Sequence, residues 1–176
     1  SYRHALEINP DYAEAHCNLG NVLRDQGGLS LAEACCRRAL EIKPNFAEAL
    51  ASLGNALRDQ GRLAEVEASY RRALEIKPDY AEVHSNLGNA LLDQGRPSEA
   101  EASYRRALEI KPDCAEAHSN LLFALNYNPD KRTEEILGLC REYDTRFGLP
   151  YRNGWDGHSN GRETERRLKV GYVSPD

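Results

Sequence analysis

A block of 34 residues recurs along this chain without gaps, and no other feature of the sequence limits the fold as strongly. Residues 47–80 and 81–114 differ at only nine of the 34 positions. Residues 13–46 fit the same template, residues 1–12 match the end of an earlier unit, and residues 115–126 match the start of a later one. A period of this length marks a supersecondary unit that cannot bury its apolar face alone, so stability comes from stacking each unit on the next. The chain reads as a stacked array.

Within each unit the residue types keep a fixed order: a large residue, Leu-Gly, another large residue, Ala, an aromatic, Ala and Pro. In the third unit these are His84, Leu87-Gly88, Leu91, Ala100, Tyr104, Ala107 and Pro112. The first unit supplies His16, Leu19-Gly20, Leu23, Ala32, Cys36, Ala39 and Pro44, and the second Leu50, Leu53-Gly54, Leu57, Val66, Tyr70, Ala73 and Pro78. Period and order together resemble the tetratricopeptide repeat (TPR) family, which implies an all-α fold, a right-handed superhelical solenoid of helix pairs.

The residues rationalise the helix pair physically. In the third unit, His84, Leu87 and Leu91 fall at intervals of three and four, which predicts an apolar face on a first helix, A, over residues 81–93. Gly88 lets the partner helix approach closely, and Gly95 is free to take the left-handed conformation that stops helix A. Pro97 suits the first turn of a second helix, B, where a missing N–H costs nothing. Tyr104, Ala100 and Ala107 share the face of B that meets A, and Pro112 closes the unit. Two departures stand out. Val66 replaces a small Ala at the helix crossing, which is expected to splay the second unit slightly, and Cys36 replaces the aromatic, leaving the first unit less to pack.

Composition excludes several partners. The chain has 176 residues, 40% hydrophobic and 29% charged, enough to fold. Its 23 basic and 28 acidic side chains are intermixed, with a net charge of −5 and no basic stripe, which argues against nucleic acid and anionic membranes. No apolar run approaches the roughly 18–20 residues of a membrane span. Cys17, Cys35, Cys36, Cys114 and Cys140 are odd in number and lack C-x-x-C spacing, which predicts free thiols in a reduced, cytoplasmic protein. The start in mid-pattern at Ser1, with no Met anywhere, reads as an internal piece of a longer protein.

At about 100° per residue, the second, sixth, ninth and thirteenth positions of helix A fall opposite its packed side. In a TPR stack that side lines the concave groove. The sixth positions are Asn18, Ser52, Asn86 and Asn120; the ninth are Asn21, Asn55, Asn89 and Phe123. Glu14, Glu48, Glu82 and Glu116 occupy the second, and Asp25, Asp59 and Asp93 the thirteenth. A carboxamide carries a donor and an acceptor, matching the N–H and C=O of any peptide backbone. Stacked units therefore present two parallel ladders suited to an extended segment. For the ninth-position Asn a second reading stays open, in which it bonds a neighbouring helix and fixes the repeat geometry.

His16, His84 and His118 recur at one position, but it faces the packing between helices, and neighbouring A helices roughly 8–10 Å apart are too distant to share a metal. They read as packing residues. Arg37-Arg38, Arg71-Arg72 and Arg105-Arg106 precede Glu41, Glu75 and Glu109 by three or four residues, the spacing of ion pairs on a solvated face. The repeats contain no phosphate loop, nucleophile–base set or metal-ligand cluster.

After Ala115 the pattern changes. Leu122 stands where Gly is expected, Phe123 replaces the ninth-position Asn, and Asn126-Tyr127-Asn128-Pro129-Asp130 interrupts the unit. Residues 115–148 read as a divergent helical pair, with a helix over 133–147. Residues 149–167 read as a polar, Gly-containing linker, and 168–176 as a strand ending in a turn, a short C-terminal β-strand stub on the all-α solenoid. The break HSNLLFALNYNPD from His118, and the end RRLKVGYVSPD from Arg166, resemble the O-GlcNAc transferase family, in which TPR units precede a two-lobed catalytic region. The resemblance implies a parent enzyme that transfers sugar from a nucleotide sugar, UDP-GlcNAc or one carrying another sugar such as fucose, to protein Ser or Thr. It implies that Asn18, Asn86 and Asn120 grip the acceptor backbone, with a gap at Ser52. The family's catalytic His and donor site lie beyond the residue matching Asp176, so no transferase activity and no cofactor are expected in this chain. The alternative reading is a general TPR adaptor unconnected with glycosylation. The open repeat ends also offer surfaces for self-association.

Overall fold

The computed structural model describes residues 2–128 and 131–149. Helix α1 (Tyr2–Ile8) is the B helix of an incomplete unit. Three complete A–B pairs follow: α2 (Ala13–Asp25) with α3 (Leu29–Ile42), α4 (Ala47–Asp59) with α5 (Leu63–Ile76), and α6 (Ala81–Asp93) with α7 (Pro97–Ile110). The divergent pair is α8 (Ala115–Asn126) with α9 (Thr133–Tyr143), and α9 runs on into a π-helical turn, Asp144–Gly148. Leu149, expected to open the linker, is still helical. The rest of the linker and the strand at 168–176 lie outside the described residues.

Sequence punctuation explains the boundaries. Gly95 has φ +73°, its N–H donates to the Leu92 carbonyl at 2.8 Å, and the Arg96 N–H donates to the Leu91 carbonyl at 2.9 Å. That left-handed turn closes α6 and aims the chain back for α7, which opens on Pro97. Consecutive A helices touch across units, α2 with α4, α4 with α6 and α6 with α8, whereas consecutive B helices make no comparable contact. The A helices therefore form the inner side of the stack.

The core is built from ring against glycine. Tyr70 and Tyr104 are fully buried. A Cβ placed on Gly88 would stand 2.6–2.9 Å from three Tyr104 ring atoms, and Gly54 meets Tyr70 in the same way. One apolar cluster runs from Cys36 through Tyr70, Leu91 and Tyr104 to Leu125. Around the first unit the core divides into two smaller clusters, one on Cys17 and Phe46, the other on Leu23 and Ala32. Cys36, in the slot held elsewhere by a Tyr, fills less of it.

Two expectations need correction. The recurring His residues do more than pack: Nε2 of His16, His84 and His118 hydrogen-bonds the carbonyl of Pro10, Pro78 and Pro112 at 2.9, 2.9 and 3.0 Å. Each ties helix A to the turn before it. Among the Arg pairs, Arg38 and Arg106 reach Glu41 and Glu109 as expected, at 3.0 and 2.8 Å. Arg37, Arg71 and Arg105 turn back instead to Glu33, Glu67 and Glu101. Those three carboxylates also take a cation from the following unit, Arg62, Arg96 and Lys131, at 2.8, 2.7 and 2.8 Å. The result is a charged staple across each unit boundary.

The staple makes stability depend on acid. Hydrogen bonds from Arg37, then Gln60 and Arg62, hold the Glu33 carboxyl at about 2, and Glu67 is lowered chiefly by Arg96. A carboxyl more acidic when folded stabilises fully above its ordinary value of 4.5 and loses that contribution as pH falls toward 2. The melting temperature is therefore expected to drop on acidification through that window, and to drop less in Glu33→Gln. Equal drops in both proteins would show that the Glu33 charge contributes nothing.

Candidate functional site

The inner face brings the sixth- and ninth-position side chains into one line. Asn86 donates through Nδ2 to Asn55 Oδ1 at 3.1 Å, and Asn120 donates to Asn89 Oδ1 at 3.1 Å. Each receiving oxygen also accepts the hydroxyl of the buried Tyr on its own B helix, Tyr70 to Asn55 and Tyr104 to Asn89, at 2.6 Å. Asn55 and Asn89 therefore bond both their own B helix and the next unit's A helix, while each keeps an Nδ2 group on the half-buried inner face. Asn86 and Asn120 each donate one N–H, and among the described residues their Oδ1 and second N–H have no other partner.

The first unit differs. Asn18 is exposed and Asn21 half-buried, and neither amide has a hydrogen-bond partner among the described residues. Ser52, the sixth-position residue that would reach Asn21, is buried and meets Cys17 Sγ at 3.6 Å. A hollow of about 600 Å³ opens here, bordered by Cys17, Asn18, Asn21, Ser52, Asn55 and Tyr80. A smaller one of about 230 Å³, touching Asn86, Lys111 and Glu116, follows along the face.

Charges frame the groove. Lys43 bonds Glu14 at 3.0 Å and Lys77 bonds Glu48 at 3.3 Å, each ammonium lying over the ring of Phe46 or Tyr80 at 4.5 or 4.4 Å. Two second-position carboxylates are thus paired within their own units. Arg24 contacts Asp25 and Asp59 at 2.9 and 3.8 Å. Beyond Asn120 the ladder ends on Phe123, which is 55% exposed and packs at a tilt of 47° against Tyr127 with centroids 4.7 Å apart.

Burial pushes the Cys36 thiol up to about 12 and raises Cys17 as well, so both are neutral and poor nucleophiles. Among the described residues no three His, Cys, Asp or Glu side chains gather as a metal site. No described helix is long and apolar enough to cross a membrane. What the face offers is a row of amide donors and acceptors spaced by the repeat.

Sequence reasoning missed the Tyr–Asn bond. It joins residues 15 apart on different helices, outside the spacings that helix periodicity reveals. The available signal was the joint presence of a B-helix Tyr and a ninth-position Asn in the second and third units.

Models described as TPR repeat or tetratricopeptide repeat match residues 13–46, 35–68, 54–95 and 81–114, together an unbroken span of more than half the chain. None of the curated proteins matches the chain in sequence. Among solved structures, a mutant O-GlcNAc transferase from Thermobaculum terrenum is similar with a TM-score of 0.71 and 30% identity, over 77% of this chain. The chain spans only 26% of that relative's length. YrrB, described as a TPR protein with an unusual peptide-binding site, has a TM-score of 0.74 and 21% identity, over 88% of this chain and 84% of that one. The first TPR of Spaghetti, bound to an HSP90 peptide, has a TM-score of 0.63 and 23% identity, over 65% of this chain and 90% of that one. Identities this low show a shared fold.

Proposed function

The chain is a tetratricopeptide-repeat solenoid, and on that premise we propose that its inner face binds extended protein segments by their backbone. The observation that carries this reading is the spare donor and acceptor on Asn86 and Asn120, repeated at the unit spacing. Four A helices set roughly 8–10 Å apart span about 30 Å, the length of nine or so extended residues. Amide contacts alone recognise backbone, so the groove tolerates many sequences.

The finer reading is that the segments held are acceptors, presented to the catalytic region of an O-GlcNAc transferase-like parent. It is supported by the 30% identity to the Thermobaculum enzyme and by the motifs from His118 to Asp130 and Arg166 to Asp176. The parent's donor would be a nucleotide sugar held elsewhere. A parent reading frame that continues past Asp176 into an α/β region with an early His would support this; further repeats would favour the adaptor.

Backbone reading is tested by fluorescence anisotropy with a labelled peptide of about ten residues of Ser, Thr, Val and Pro, and with its scramble. Dissociation constants within about threefold of each other are expected, less than 1 kcal/mol apart. Tight binding of one sequence and none of its scramble would point instead to side-chain pockets and a dedicated adaptor.

A further inference from the structure

Two donors converge on one carboxamide oxygen in the second and third units, and both are missing in the first. We propose that Tyr70 and Tyr104 are positioning residues of the groove, which through Asn55 and Asn89 aim the amides of Asn86 and Asn120 at a bound backbone. This rests on the peptide-binding reading above and assigns its affinity to a part of the molecule no ligand touches.

The relay follows from hydrogen-bond polarity. The Tyr70 ring is fully buried against Gly54, so core packing fixes where its hydroxyl sits. Burial raises this phenol to about 12, so it keeps its proton, and among the described residues Asn55 Oδ1 is its acceptor at 2.6 Å. Asn55 must then turn its oxygen toward Tyr70. That same oxygen accepts from Asn86, so Asn86 must present Nδ2 to it and keep Oδ1 for the groove. Tyr104, Asn89 and Asn120 repeat the arrangement at equal distances. Each amide enters binding with its orientation already set, and the entropy of fixing it is spent on folding.

The first unit shows what happens without the relay. Cys36 stands in the Tyr slot and Ser52 stands where the next unit's Asn would be, so Asn21 receives neither donor. Two departures that look unrelated in sequence are the two ends of one broken link. Gly20 nonetheless keeps the bare helix surface that Gly54 and Gly88 give to the rings; a Cβ there would lie 2.9 Å from Cys36 Sγ.

The test pairs loss with gain. Tyr70→Phe with Tyr104→Phe removes two hydroxyls and keeps both rings, and should weaken the Ser/Thr/Val/Pro peptide by about tenfold to a hundredfold. In the free protein the same pair should shift the side-chain amide signals of Asn55, Asn86, Asn89 and Asn120 in a proton–nitrogen NMR spectrum. Cys36→Tyr added to Ser52→Asn should tighten binding about threefold to tenfold beyond Ser52→Asn alone, but only for peptides long enough to reach the first unit, a further gain that a purely structural Tyr would not give. If wild type binds and the Phe pair, still folded, binds equally well, the positioning role is overturned and the function reading stands. If wild type fails to bind the peptide or its scramble, the function reading falls and takes this proposal with it. Should Cys36→Tyr disturb folding, the Phe pair alone decides.

Discussion

Replacing Tyr104 by Ala is expected to remove about 3–5 kcal/mol of stability, more than any surface change in this chain. The ring is fully buried and joins the cores of the third and divergent units, and its loss also deprives Asn89 of a donor. Gly88 gives the converse. In the wild-type background, Gly88→Ala should cost about 1–3 kcal/mol, because its Cβ would press on Tyr104 ring atoms from 2.6 Å, and the ring is hemmed in on its other sides. In the Tyr104→Ala background the obstruction is gone. There the same change should be neutral or stabilise by up to about 1 kcal/mol, the helix propensity of Ala over Gly. Urea unfolding of the four proteins, followed by circular dichroism, should therefore give a coupling of about 1–4 kcal/mol. A Gly88→Ala cost equal in both backgrounds would mean that the ring does not dictate the glycine.

The same ring–glycine contact shows how much of this fold was open to sequence reasoning. Gly88, Gly95, Pro97 and Tyr104 each announce a local geometry, and α6 and α7 begin and end where those residues require. The helix expected over 133–147 was also legible from its apolar face, although its last turn, from Asp144, is π-helical. Contacts between units were harder. Glu33 meets Arg62 across 29 positions and Asn86 meets Asn55 across 31, separations at which no periodicity argument on one helix applies. For that reason Arg37 was expected to share in the forward pairing with Glu41, whereas it serves a staple whose other half lies in the next unit. The His–Pro carbonyl bonds, six residues apart, cross a turn and were equally invisible. The groove itself was half legible. Which residues share the inner face followed from 100° steps, but the division of labour between sixth and ninth positions depends on where a Tyr hydroxyl lands.

That division leads to the second large effect. Replacing Asn86 and Asn120 together by Ala removes the two anchored amides that still have spare donor and acceptor capacity. Asn55 and Asn89 keep their Tyr donors at 2.6 Å, so the geometry of the stack should survive with a small fall in melting temperature. Peptide binding should not. Two lost bonds at about 0.5–1.5 kcal/mol each correspond to a loss of about 5- to 150-fold if they add.

The measurement that bears most directly on the groove is therefore the affinity of the Asn86→Ala, Asn120→Ala protein for the Ser/Thr/Val/Pro peptide and its scramble, per folded molecule. The account predicts a similar loss for both peptides with helicity unchanged. Earlier unfolding with undiminished affinity would contradict it and leave the ladder a purely structural device.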